Sequence, residues 1–383
     1  MTLADILPTL GSSLSQRLDA EVWPVTTRWG IHGGLEVGGM SLSRLVADHG
    51  TPVRVLDETD VRARAIGYAA AFGPGGASGG ASGGASGGAF YSAKAGLTVT
   101  IGRWIAQAGL GCYVTSAAQL RTALLAGFNP GDLVLCSAGK SIADLDAAFA
   151  CGASVVVGSA AEAATVAGRA PHGQRVLLRV LPAAPGRPHG YGLRLGTSTA
   201  FSALDVVLSS TLTLTGLDCS LGHQIARFGA YERCLREAIA FMAVIRARRG
   251  FRVPMINLGG GHAVPYRDGE DGLALGAFAS RLRAVAQVTA ERYDLTPPAV
   301  RVSPGRALIA RAGVTVLDSR PEVPCCPVEH TVVESGNLVV VAGTGAYHHE
   351  DTPYVGRPAL VGVNGGRART LVRRVTVTDL MHI

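Results

Sequence analysis

Two of the 35 basic residues in this chain are lysines, Lys94 and Lys140; the other 33 are arginines. Where Arg has displaced Lys almost everywhere, a Lys that persists marks chemistry a guanidinium cannot do. An amine can lose its proton and form an imine with a carbonyl compound. Lys94 ends the apolar run of FYSAKAG, where burial would push an amine toward the neutral form that attacks a carbonyl. INLGGGHAVPY carries three glycines after another apolar run, Gly259, Gly260 and Gly261. Backbone N–H groups of such a turn can approach a phosphate closely, although a tight turn explains three glycines equally well. In VRVSPGRALI, Ser303 is followed by Pro304, Gly305 and the guanidinium of Arg306. RVLLRVLP sets Arg179 in an otherwise apolar strand, where an unpaired charge would be costly, and GTGAYHHE places Tyr347 after a glycine turn.

All of these residues except Tyr347 fall within or at the ends of short β-rich runs. The runs are Thr51–Asp57, Ala89–Lys94, Cys112–Ser116, Asp132–Ser137, Ser154–Ser159, Arg175–Pro182, Leu212–Ser220, Pro254–Gly259 and Val300–Ser303. Between them lie stretches such as AAQLRTALLAG with apolar residues three and four apart, the helical spacing. Strand and helix alternating in this way imply parallel strands joined by right-handed crossovers. One leading strand followed by eight more predicts an α/β chain built on a (β/α)8 TIM-like barrel, whose chemistry sits at the C-terminal strand ends. After Arg306 the pattern turns β-rich with Gly turns, which predicts a second, antiparallel β domain. We therefore expect residues 1–45 to contribute to the β domain, 46–306 to form the barrel and 307–383 to complete the β domain. The GGAS repeat over 73–89 reads as a flexible loop expansion on the face opposite the active site.

Bulk properties exclude several classes. Hydrophobic content of 48% with mean hydropathy +0.28 supports a packed core, yet no apolar run reaches the roughly 18–20 residues of a membrane span. The N-terminus lacks a basic stretch followed by an apolar one, which argues against secretion and for the cytoplasm. Seven scattered cysteines fit reduced thiols, and no Cys/His cluster has zinc spacing, so no metal is expected. The net charge of +7 is dispersed singly along the chain without interleaved aromatics, so neither nucleic acid nor membrane is an expected partner.

In order and spacing these segments resemble the ornithine/diaminopimelate/arginine decarboxylase family, pyridoxal-phosphate enzymes with an alanine-racemase-like (fold type III) barrel and a β domain. The resemblance runs through FYSAKAG, GLGCYVTSAAQLRTALLAGFNPGDLVLCSAGKS, GLDCSLGHQI, INLGGGHAVPY, SPGRALIARAG, PCCPVEHTVV and GAYHHEDTPYVGRP. It implies pyridoxal 5'-phosphate as cofactor, with Lys94 as its Schiff-base lysine. It implies Gly259, Gly260, Gly261 and Arg306 as phosphate contacts, Tyr347 near the phosphate and Arg179 in the buried network behind the ring. It further implies a homodimer, in which Cys325 enters the partner's site, with Glu329 where many members carry an acid. Lys140 falls in the family's Gly-Lys-Ser segment.

The departures cluster at the ring. Ser220 stands where the family stacks a histidine on the cofactor, with His223 at a phosphate-side position. Ser303 replaces the acid that keeps the pyridine nitrogen protonated; a hydroxyl can only share a hydrogen bond, leaving the ring mostly neutral. Tyr113 and Gln119 replace the usual acids after the second barrel strand, and Cys326 replaces the acid that commonly follows the cysteine. Only 18 residues separate Arg306 from Cys325, fewer than in relatives that read the substrate's distal end there. The first expectation is thus a decarboxylase-like lyase with a non-standard amino-acid substrate, free or carrier-bound, of specialised metabolism. Racemisation or β-elimination on the same cofactor, and a non-catalytic cofactor-binding homologue, are the alternatives.

Overall fold

The computed structural model describes residues 18–31, 33–73, 88–182, 190–318, 330–347 and 357–380. It divides into two compact units. One comprises Val61–Val264 with Leu273–Ile309, the other Met1–Asp60, Pro265–Gly272 and Ala310–Ile383.

The first unit is built on eight parallel strands: β1 (Phe90–Ser92), β2 (Gly111–Val114), β3 (Leu133–Leu135), β4 (Ser154–Val157), β5 (Arg175–Leu181), β6 (Thr213–Cys219), β7 (Met255–Asn257) and β8 (Ala299–Arg301). Each pairs in parallel with its neighbour in the chain. A bridge between Ala89 and Val302, with Phe90 N–H donating to Val302 O at 2.9 Å, joins the last strand to the first. The (β/α)8 barrel expected from the alternation is therefore present. Parallel neighbours need a crossover, and five of the helices that supply it begin on Ser or Thr. Thr98, Ser116, Ser141, Ser159 and Thr197 each accept a backbone N–H from the first turn.

Inside the barrel, side chains form levels because every second residue of a strand faces the same way. Phe90, Tyr113, Val134, Val156, Leu177 and Met255 pack together as an apolar level. Room for them comes from glycine: a Cβ at Gly111 would run into the Phe90 ring, and one at Gly216 would meet Met255 O at 2.6 Å. Two residues further along the strands from Phe90, Leu177, Gly216 and Met255 stand Ser92, Arg179, Asp218 and Asn257, and Ser303 follows two residues past the end of β8. The interior changes there from apolar to polar.

The second unit holds a six-stranded sheet in the order Val332–Ser335, Leu338–Val341, Gly313–Leu317, Val53–Asp57, Ala359–Asn364, Arg367–Val372. It is antiparallel except between Val53–Asp57 and Ala359–Asn364, which run parallel. Val53–Asp57 is a strand, as its β-rich composition predicts, but it sits at the centre of this sheet and not with the barrel segment expected from residue 46. Its alternate residues Val53 and Val55 bury against Val314, Val316, Val340 and Val361, a non-local pairing that local pattern cannot show. A small antiparallel sheet over residues 28–41 belongs to the same unit. Among the described residues no helix is long and apolar enough to cross a membrane. The Gly/Ala/Ser repeat lies, apart from its ends, outside the described residues.

Candidate active site

Lys94 follows β1 by two residues, within a single 3-10 turn, Ala93–Ala95. Ala93 and Ala95 are buried in the barrel wall while Lys94 is exposed, so the expected burial of its amine is corrected. The strand ends at Ser92, and the turn that follows carries residue 94 out of the packed layer. Among the described residues its amine makes no hydrogen bond or ion pair. It remains close enough to oppose, with Arg179 and Lys140, the burial and the Asp218 charge that together raise the Cys136 thiol to about 11.

The polar level beneath is a single network. Asp218 on β6 is fully buried and forms an ion pair with Arg179 on β5, in register beside it. Burial works against the Arg179 charge, but Asp218 outweighs it and holds the guanidinium above its ordinary pKa. Asp218 Oδ1 also accepts from the Tyr113 hydroxyl at 3.0 Å and from Asn257 Nδ2 at 2.6 Å. Burial, then the Asp218 charge, push the Tyr113 phenol far up, so it stays a protonated donor. Asn257 Nδ2 further reaches the Tyr113 hydroxyl at 2.8 Å and Ser303 Oγ at 3.4 Å. Arg179 thus has the partner its apolar strand demands, and its Nη1 lies 3.8 Å from Cys136 Sγ. Its buried Nε finds no hydrogen-bond acceptor among the described residues.

Gly259–Gly261 leave β7 between the ends of β6 and β8. A Cβ at Gly259 would sit 2.7 Å from Cys219 O, one at Gly260 2.5 Å from Ser303 O, and one at Gly261 against Gly222 O. Gly259 and Gly261 also have φ near +80°, so all three positions require glycine. The three carbonyls are taken by Ser303 N–H at 2.8 Å, Tyr231 OH at 3.2 Å and Ile225 N–H at 2.8 Å. In a trans peptide the following N–H points the other way, so the Gly260 and Gly261 amides face away from those partners. A turn of this kind is suited to an anion. Behind it, fully buried His262 bonds through Nδ1 to Tyr68 OH at 2.7 Å, and burial depresses its pKa to about 3.

The other expected residues are placed as follows. Arg306 opens a short helical turn, Arg306–Ile309, directly after β8 and Ser303. Ser220 is half-buried just past β6, whereas His223 is exposed further along that loop. Tyr347 belongs to the other compact unit, with a left-handed φ of 64°. Cys325, Cys326 and Glu329 lie outside the described residues. Gln119 shapes the loop after β2, its Oε1 accepting from Thr115 N–H at 2.9 Å. Asp218 and Asn257 escaped notice in the sequence, although the signal was there. Each stands two residues before a position singled out, Ser220 and Gly259, hence on the same inward face.

Residues 84–310 match the model of the pyridoxal-dependent decarboxylase family's pyridoxal binding domain. Over an alignment of 451 positions, the chain is 32% identical to a diaminopimelate decarboxylase of Actinosynnema pretiosum subsp. auranticum, with 100% of this chain and 99% of the relative covered. The chain belongs to the pyridoxal-dependent decarboxylases. Among solved structures, a diaminopimelate decarboxylase from M. jannaschii superposes with a TM-score of 0.83 at 19% identity, covering 94% of this chain and 97% of that one. An SrLDC mutant solved in complex with PLP does so at 0.64 and 18%, covering 80% and 89%. At those identities the likeness is one of fold.

The cofactor of this decarboxylase family is pyridoxal 5'-phosphate, and the residues present fit it. An uncommitted amine suits its aldehyde, a glycine turn with amides facing outward suits its phosphate, and the Arg179–Asp218–Asn257–Ser303 floor offers polar partners to its ring.

Proposed function

We propose that this chain is a pyridoxal-phosphate-dependent amino-acid carboxy-lyase acting on diaminopimelate or a closely similar amino acid, as a homodimer. The observation that carries the reading is Lys94: a lysine without a partner among the described residues, two residues past Ser92 at the C-terminal end of β1, in a barrel with a buried polar floor. The substrate rests on the relatives' activity along the whole chain, and a non-standard substrate finds no support in them. An alignment of 451 positions against a chain of 383 nonetheless means that the relative carries segments absent here.

In this reading Lys94 holds the cofactor, Gly259–Gly261 and Arg306 hold its phosphate, and Ser220 and the floor residues face its ring. When bound, the cofactor supplies an electron sink for the bond that breaks at the substrate's α-carbon. The chain's own contribution is positional and electrostatic. Lys94 would also be able to receive or return a proton at the substrate, without breaking another contact among the described residues. The Arg179–Asp218 pair keeps the floor polar while adding no net charge beneath the ring. Cys325 and Glu329 would come from the partner subunit to complete the mouth.

One observation favours a second reading. Next to Asn257 stands the hydroxyl of Ser303 and not a carboxylate, which suits racemisation or β-elimination, where less electron withdrawal is needed. Incubating the cofactor-loaded protein with diaminopimelate and with single amino acids separates the two. Release of CO2 from diaminopimelate is expected, from a particle sedimenting as a dimer of the 39.3 kDa chain. Inverted amino acid or keto acid without CO2 would replace the first reading by the second, and no turnover at all would leave a cofactor-binding homologue.

A further inference from the structure

Donor counting fixes the direction of every hydrogen bond in the floor. Asp218, ion-paired with Arg179, can only accept. The end of the Asn257 amide that meets Asp218 Oδ1 at 2.6 Å must therefore be its NH2. The opposite end accepts Gly259 N–H at 3.2 Å, which requires an oxygen, so two independent contacts orient the amide the same way. Nδ2 shares its two hydrogens among Asp218 Oδ1, the Tyr113 hydroxyl at 2.8 Å and Ser303 Oγ at 3.4 Å, and has no lone pair with which to accept. A nitrogen with only hydrogens to offer makes Ser303 the acceptor of that contact. The single proton of Ser303 is excluded from it, and among the described residues no other acceptor takes it.

We propose that Ser303 is a fixed hydrogen-bond donor to the ring nitrogen of pyridoxal phosphate, held in that role by Asn257 and Asp218. This assignment rests on reading the barrel mouth as the cofactor site. Asn257 and Asp218 act through Ser303 and are positioning residues. A ring nitrogen that receives a proton donor is itself an unprotonated acceptor, whereas a carboxylate at 303 would draw a proton onto it. The floor thus selects the neutral ring through geometry, by leaving its last hydroxyl no other use for its hydrogen.

The experiment loads the full chain with pyridoxal phosphate carrying 15N in the ring and reads the nitrogen by NMR. In the wild type the signal should lie in the neutral, hydrogen-bonded range. Ser303→Ala should shift it toward free pyridine, and Ser303→Glu toward the pyridinium range. Asn257→Asp gives Ser303 an acceptor inside the floor, so its signal should follow that of Ser303→Ala; a purely structural Asn257 would leave it unmoved. A pyridinium signal in the wild type, or one indifferent to Ser303→Ala, overturns the proposal. Neutron diffraction from the cofactor-free protein supplies a reading that needs no loaded variant: the Ser303 deuterium should point into the mouth, and finding it on the line to Asn257 overturns the proposal. If even the wild type takes up no cofactor, the functional reading falls and Ser303 loses the ring as partner, while the neutron map still decides the direction of its hydroxyl.

Discussion

Lys94 and Lys140 stand at the same end of one barrel in opposite surroundings. Lys94, past β1, is exposed and uncommitted among the described residues. The side chain of Lys140, past β3, is 2% exposed, and its three hydrogens go to Ser137 O at 2.7 Å, Tyr191 OH at 2.9 Å and Glu162 Oε1 at 2.5 Å. Glu162 is equally engaged, accepting also from Gly158 N–H at 2.7 Å and Tyr191 OH at 3.0 Å. The difference teaches what each amine is for. An ammonium buried with every hydrogen satisfied is a clamp, here joining the loops after β3, β4 and β5, and losing its proton would break that clamp. An amine without partners among the described residues can be drawn into imine chemistry without breaking a contact.

The largest expected effect is on Lys94. Borohydride treatment of the loaded protein should label one peptide, the one containing residue 94, and Lys94→Ala should abolish the label. Stability of that variant should stay within about 0.5 kcal/mol of wild type, as for an exposed residue. Label on the Lys140 peptide would reverse the comparison. Next comes Lys140→Met, which leaves Glu162 unpaired in a mostly buried place. Breaking such a pair costs about 3 kcal/mol, to be read from denaturant midpoints. Removing both charges in Lys140→Met/Glu162→Leu should recover much of the loss, and a Lys140→Met protein as stable as wild type would show that the clamp bears no weight.

The last effect shows only on acidification and concerns a buried titratable group of the same unit, His262, which burial holds neutral. Its folded pKa of about 3 lies below the ordinary histidine value of 6.5. Between those values the unfolded chain binds a proton that the folded chain refuses. Its stabilising contribution is therefore complete above about pH 6.5 and declines as pH falls toward 3, by at most about 1.4 kcal/mol per unit. His262→Phe should flatten that part of the stability profile. Wild type and variant falling in parallel between pH 6.5 and 4.5 would mean that His262 takes up its proton in the fold.

Much of the site was legible because its residues follow strands that can be read locally. Alternation and helical spacing located all eight barrel strands, and the scarcity of lysine drew attention to Lys94. What was misread depended on where a strand ends or whom it pairs with. Burial of Lys94 was expected from the apolar run before it, but the chain turns two residues sooner, a difference that composition does not resolve. Asp218 passed for one residue of an ordinary strand, since a carboxylate shows its purpose only beside Arg179 and Asn257, at 39 residues' distance in the chain on either side.

The sequence by itself determined the alternation that makes a barrel, the glycines where β7 must turn, and the two amines available for chemistry, because these depend on neighbours close along the chain. Only the tertiary structure decided which lysine is committed, that Val53–Asp57 pairs in the second sheet, and that Asp218, Asn257 and Ser303 form one directed chain of hydrogen bonds. Those outcomes depend on register between strands distant in sequence, and a shift of one residue would turn Asp218 out of the barrel and dissolve the floor.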